Sequence, residues 1–249
     1  MTRFRAAGIH LLLSGLVAVC LLTVMFTLWY PGVYFKLMGG GLLLFIMVGV
    51  DICLGPLLTL IVFKSGKKTL KFDLTVIALL QTAALTYGGW VMFEARPAFT
   101  VFMQDQFRIA STVDIDRNEL AKAKNPEWQH FSMTGPVLVA AAMPSDSKEQ
   151  QDLVFLAASG IDLHQLPRLY VDYKGESGNV LKRAKPISDL RRVDSKNGEI
   201  VDKLIQKMSR PEQDFVFIPV LSSHAEMAAI LDAKNADMIE ILDVKAWKD

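Results

Sequence analysis

The carboxylates most open to joint chemistry are Asp51 and Asp73, both in the apolar N-terminal third of the 249-residue chain. Two carboxyl groups share a proton and activate water only when they sit side by side. Asp51 lies near the middle of one apolar run and Asp73 beside the edge of another, close to Lys71. At helical rise the two are about 20–30 Å apart, so an aspartyl dyad fails unless the chain breaks sharply at Pro56. His224-Ala225-Glu226 has the H-x-E form of a zinc deaminase, but that chemistry also needs a cysteine pair. The two cysteines, Cys20 and Cys53, both fall in the apolar third. His10, His130 and His164 are scattered, and no nucleophile elbow, P-loop or dinucleotide fingerprint occurs. Gly39-Gly40-Gly41 lies within an apolar run, where it serves helix contact rather than phosphate binding. The sequence therefore reads as non-enzymatic, with no cofactor and no metal site.

The elements that carry these residues begin with three apolar runs, at 9–30, 37–63 and 74–93. Each reaches the roughly 20 residues that cross a ~30 Å hydrocarbon core, and the second is long enough to require a tilt or bend. The first is too long for a signal peptide and ends in Trp29-Tyr30-Pro31 where a cleavage site would need small residues. Arg3 and Arg5 precede the first run, and Lys64, Lys67, Lys68 and Lys71 lie between the second and third, against Lys36 alone between the first and second. Positive flanks stay inside. The N-terminus is therefore expected in the cytoplasm and everything after Phe93 outside. Trp29, Tyr30, Pro31 and Trp90 mark the outer membrane interface on the same reading.

Asp51 in the second run costs about 2.5–3.5 kcal/mol on insertion scales. Gln81 sits at an overlapping depth in the third, so antiparallel helices let its amide donate to the Asp51 carboxyl group. Two readings stay open: a clamp between helices, or a polar group facing a partner helix. Pro56 follows in Cys53-Leu54-Gly55-Pro56 and denies a donor to the carbonyl of Ile52. With Gly55 it predicts a kink, which either opens a groove or fits an over-long helix into the bilayer. Gln81, Ala84 and Gly88 recur as a small-residue seam, and Gly8 and Gly15 repeat it on the first run.

From residue 94 to 249 the composition is that of a globular domain, long enough for a core of its own. With 27 basic and 26 acidic residues in the whole chain, nothing points to nucleic acid. A hairpin is expected over Phe99–Phe102 and Phe107–Ala110, and a short helix within Asp116–Lys124. Strands follow at Val137–Met143, Arg168–Tyr173 and Phe215–Leu221, the second of them ended by turn residues Gly175–Asn179. Helices are expected from Ser145 or Asp146 to Ala158, at Ser188–Arg192 and at Gly198–Met208. A terminal hairpin pairs Met227–Asp232 with Met238–Val244. The expected architecture is a three-helix transmembrane bundle (1–93) followed by an α+β domain (94–249) with a mostly antiparallel sheet.

Trp29-Tyr30-Pro31-Gly32, Gly49-Val50-Asp51, Leu54-Gly55-Pro56-Leu57-Leu58-Thr59-Leu60, Phe72-Asp73-Leu74, Gln81, Tyr87-Gly88 and Arg96-Pro97 occur in that order. The pattern resembles the TfpX/TfpZ family of type IV pilin accessory proteins, densely over the membrane third and more thinly beyond it. The resemblance implies a bacterial inner-membrane protein that assists a particular pilin, with an outer domain in the periplasm. Its expected partners are the bilayer and a pilin subunit, held by its N-terminal helix near Asp51, Gly55, Pro56 and Gln81 and by its periplasmic head. The rival class is a membrane sensor, which would require a separate output protein because the expected cytoplasmic segments are short.

Overall fold

A backbone in hydrocarbon must satisfy its own hydrogen bonds, so long apolar runs become helices. The computed structural model describes residues 2–247 and contains three helices long and apolar enough to cross a membrane: α1 (Arg3–Trp29), α2 (Gly41–Val62) and α3 (Leu70–Glu94). Thr2 caps α1, its side chain accepting from Arg5 N at 3.3 Å. The second run is divided: a short helical turn covers Tyr34–Leu37, Gly39 takes a positive φ of 66°, and α2 starts at Gly41. Within α2 the residues Val50–Leu54 form a π turn, immediately before Gly55 and Pro56. Where length and proline predict a bend, the helix carries a widened turn.

The chain divides into two units, Met1–Phe35 with Gly39–Ala95, and Lys36–Met38 with Arg96–Asp249. In the first, α1 packs on the half of α2 after the π turn, and α3 packs on both halves. Gly88 permits close approach of α3 to α2 ahead of the π turn, since a Cβ there would stand 2.8 Å from Met47 Sδ. Elsewhere in the expected seam Gln81 meets α2, whereas Ala84 is exposed and Gly8 and Gly15 face open space. Leu12, Phe45 and Leu79 point outward from the helices, as apolar side chains do when the surroundings are lipid.

The second unit holds an eight-stranded sheet: β1 (Pro97–Met103), β2 (Gln106–Ser111), β3 (Val137–Ala141), β4 (Tyr170–Val171), β5 (Lys185–Pro186), β6 (Phe215–Leu221), β7 (Glu226–Asp232) and β8 (Met238–Leu242). The spatial order is β4-β3-β1-β2-β6-β7-β8, with β5 also on β6. Both expected hairpins are present, β1–β2 and β7–β8. The sheet is nevertheless mixed rather than mostly antiparallel, because β3 joins β1 and β6 joins β2 in parallel. Hairpin turns dictate antiparallel pairing only between strands adjacent in sequence. The long connections around β3 and before β6 leave direction free.

Helices α4 (Arg117–Leu120), α5 (Ser147–Ala158), α6 (Ser177–Arg183), α7 (Leu190–Val193) and α8 (Asn197–Met208) complete the unit. Asp116 and Asp146 cap α4 and α5 with their carboxylates. The expected strand Arg168–Tyr173 shrinks to the two residues of β4, and the expected turn at Gly175–Asn179 runs instead into α6, whose Val180 is buried. Val201 and Leu204 of α8 pack with Phe215, Phe217 and Ile230 of the C-terminal strands. A separate cluster joins Phe99, Val101, Val139 and Tyr170. Full burial of one such side chain contributes about 1.5–3 kcal/mol.

Candidate functional site

The site begins with a backbone defect in α2. Each N–H of a π turn donates five residues back instead of four. Continuing that register, the carbonyl of Asp51 looks to position 56, and position 56 is proline, which has no N–H. Gln81 of α3 supplies the missing donor, Nε2 lying 3.1 Å from the Asp51 carbonyl oxygen. The sequence pairs the two residues through the Asp51 carboxyl group, which the Gln81 side chain also hydrogen-bonds, but does not foresee the bond to the backbone. An α register orphans the carbonyl of Ile52, whereas the π turn orphans that of Asp51 and draws the Gln81 amide onto the backbone as well. Gly55 makes room for it, since a Cβ there would fall 2.1 Å from Gln81 Nε2.

The Asp51 carboxyl group, although it meets the Gln81 side chain, is thereby only partly satisfied. The residue is 5% exposed, and among the described residues Asp51 Oδ1 and Gln81 Oε1 are buried atoms with no hydrogen-bond partner. Both residues line a cleft of about 400 Å³ that also takes His10, Ser14, Thr59 and Thr82. His10 Nδ1 and Thr59 Oγ1 are 2.6 Å apart, tying α1 to α2, and the His10 tautomer decides which of them donates. Ile9, Leu13 and Val17 form one wall, and each is about half exposed. The cleft therefore opens outward along α1.

His10 and Thr59 are the residues that sequence reasoning missed. A depth match could have found them: His10 lies two turns into α1 and Thr59 one turn before the end of α2, so antiparallel helices put both near the same end of the bundle. Asp73 has other commitments, with Lys67 Nζ at 2.6 Å and Thr69 Oγ1 at 3.2 Å. It does not line the cleft with Asp51. Lys64, Lys67, Lys68 and Lys71 are all exposed. Of the aromatic residues assigned to the interface, Trp90 is exposed and Trp29 packs edge-on against Phe93 at 5.1 Å. Tyr30 is instead buried, its hydroxyl donating to the Met92 carbonyl at 2.7 Å, and Pro31 beside it is half-buried.

Polar groups in the second unit are mostly spent on structure. Asn197 Nδ2 donates to the carbonyls of Leu190 and Lys245, both at 2.8 Å, and Tyr173 donates to the Ala236 carbonyl at 2.7 Å. Burial pushes the Tyr170 and Tyr173 hydroxyls well above the ordinary phenol range. Burial likewise holds the His164 imidazole below its ordinary 6.5, with Asp162 opposing the shift in part from 3.5 Å. No group of three His, Cys, Asp or Glu residues able to hold a metal occurs among the described residues.

Three membrane-length helices with a mostly apolar cleft that holds a few polar groups, followed by an α+β domain, define a polytopic membrane protein. Residues 1–39 match the family model described as fimbrial assembly protein FimB. Two proteins of Dichelobacter nodosus, named fimbrial assembly protein of serogroup E1 and of serogroup I, are each 34% identical over 248 residues, covering 98% of this chain and 96% of the relative. A third, of serogroups C1 and C2, is 40% identical over 121 residues, or 48% of this chain and 92% of that relative. The chain belongs to the fimbrial assembly protein family. No solved structure matches it.

Proposed function

We propose that this protein is a non-enzymatic accessory of type IV pilus assembly in a bacterial inner membrane, and that its client is a pilin subunit. The observation that carries the reading is the outward-opening cleft. Its walls are mostly apolar, as a surface for a neighbouring helix requires, and it holds polar atoms that the bundle itself does not use. Full-length similarity to proteins named for fimbrial assembly supports the setting, and the resemblance to TfpX/TfpZ accessory proteins supports the client. In this reading Asp51, Gly55, Pro56 and Gln81 shape the surface that meets the pilin's apolar helix. The domain after the third helix stands in the periplasm and contacts the pilin head. The exposed lysines between α2 and α3 keep that loop in the cytoplasm.

Affinity capture of the tagged full-length protein from gently solubilised membranes tests the proposal. Major pilin in the eluate, and its loss from an Asp51→Ala variant present at equal level, is the expected result. An eluate with other membrane proteins and no pilin overturns it.

A further inference from the structure

Asp51 Oδ1 and Gln81 Oε1 have one property in common beyond being buried and unpartnered: both are acceptors. Leaving an acceptor dry and unpaired is unfavourable, and both belong to residues that line the same apolar cleft. One N–H of the Gln81 amide is committed to the Asp51 carbonyl, and the Gln81 side chain also hydrogen-bonds the Asp51 carboxyl group, yet Oδ1 is left without a partner. Gly55 and Pro56 lock that arrangement, one by admitting the amide and the other by lacking an N–H. His10 and Thr59 satisfy each other across the cleft. The other donors that line the cleft, Ser14 and Thr82 among them, reach neither Asp51 Oδ1 nor Gln81 Oε1.

We infer that the cleft takes a transmembrane helix bearing a cationic amine at the depth of Asp51, the amine donating to Asp51 Oδ1 and Gln81 Oε1. The inference rests on the reading of the cleft as a helix-docking surface and adds the chemistry that selects the helix. An ammonium group has three donors and no acceptor, which complements this pair, and a carboxylate-bearing helix would add a further unpaired acceptor. Asp51 lies near the middle of α2, ten residues after Gly41 and eleven before Val62. The amine must therefore be carried to mid-membrane by an otherwise apolar helix, since a soluble amine would pay its own desolvation.

The probe is a leucine–alanine transmembrane peptide of about 22 residues with one lysine at its midpoint, compared with peptides carrying leucine or glutamate there. Binding to the full-length protein in lipid nanodiscs is read by energy transfer between dyes on peptide and protein. The lysine peptide is expected to bind about tenfold tighter than the leucine peptide, the scale of one charge-assisted hydrogen bond. The glutamate peptide is expected to gain nothing. Asp51→Asn should abolish the lysine preference. Ala78→Phe, which fills the cleft from α3 without altering Asp51, should abolish it too and guards against a folding defect in the first variant. Equal binding of all three peptides, the result if lipid chains alone occupy the cleft, overturns the inference, as does a preference for glutamate or a lysine preference that survives both variants. Pilin capture by the wild type without a lysine preference sinks this inference and leaves the pilus reading intact; a lysine preference without pilin capture does the reverse.

Discussion

The two units invert each other. In the first, Asp51 and Thr59 are buried while Leu12, Phe45 and Leu79 are exposed; in the second, Phe99, Phe215 and Phe217 are buried while ion pairs such as Lys203–Glu199 and Arg192–Asp189 lie outside. The difference teaches what each region spends its interior on. Where the solvent is lipid, apolar burial gives no driving force between helices, so close packing at Gly88 and polar contacts such as Gln81–Asp51 must hold them together. Where the solvent is water, the apolar interior carries stability, and buried polar groups such as Asn197 serve it by satisfying chain ends.

The largest test of that contrast pairs two phenylalanines. Phe217→Ala is expected to destabilise the second unit by about 3–5 kcal/mol, read by denaturant unfolding of the full-length protein in detergent. Phe45→Ala, at a position 76% exposed, is expected to leave bundle stability unchanged. A comparable loss at Phe45 would break the comparison. Next in size are the polar contacts of the bundle. Gly55→Ala displaces the Gln81 amide and Gln81→Leu removes it, and each should cost roughly 1 kcal/mol as measured by unfolding in mixed micelles. The double variant should cost no more than either alone, because both delete one bond.

A smaller effect belongs to His164. Its folded form binds a proton more weakly than the ordinary 6.5, so on acidification the unfolded chain takes up the proton first. The stability it contributes is full above pH 6.5 and is lost as pH falls through the interval down to the folded value. His164→Asn should flatten this part of the pH–stability curve of the second unit, and an unchanged slope would locate the titration elsewhere. At the small end, Arg192→Ala removes an ion pair whose arginine side chain is 83% exposed. No measurable change in unfolding is expected.

The sequence made the spanning helices legible because an apolar run of their length has few other fates. Hairpins were legible for a different reason, as short polar turns bring their flanking strands into register. Strand direction across long connections was not, since nothing local to β3 or β6 encodes which strand it will join. Helix α6 was hidden by Gly175, Ser177, Gly178 and Asn179, a turn-like composition that the burial of Val180 overrides. At the cleft, depth alone paired Asp51 with Gln81. The further bond to the backbone carbonyl depended on one extra residue in a helical turn, which hydropathy does not register. His10 and Thr59 stayed unseen because a lone histidine and a threonine in apolar helices carry no motif.

That extra residue also sets a phase. A π turn takes up one residue more than an α turn, so the half of α2 after Leu54 faces about 100° away from where an uninterrupted helix would aim it. Met47 before the turn meets Gly88 of α3, and Thr59 after it meets His10 of α1; one helix thereby serves two neighbours through separately oriented halves. Deleting a single residue from Val50–Leu54 would leave composition and length almost untouched. It would swing the second half out of phase, and Thr59 would lose sight of His10.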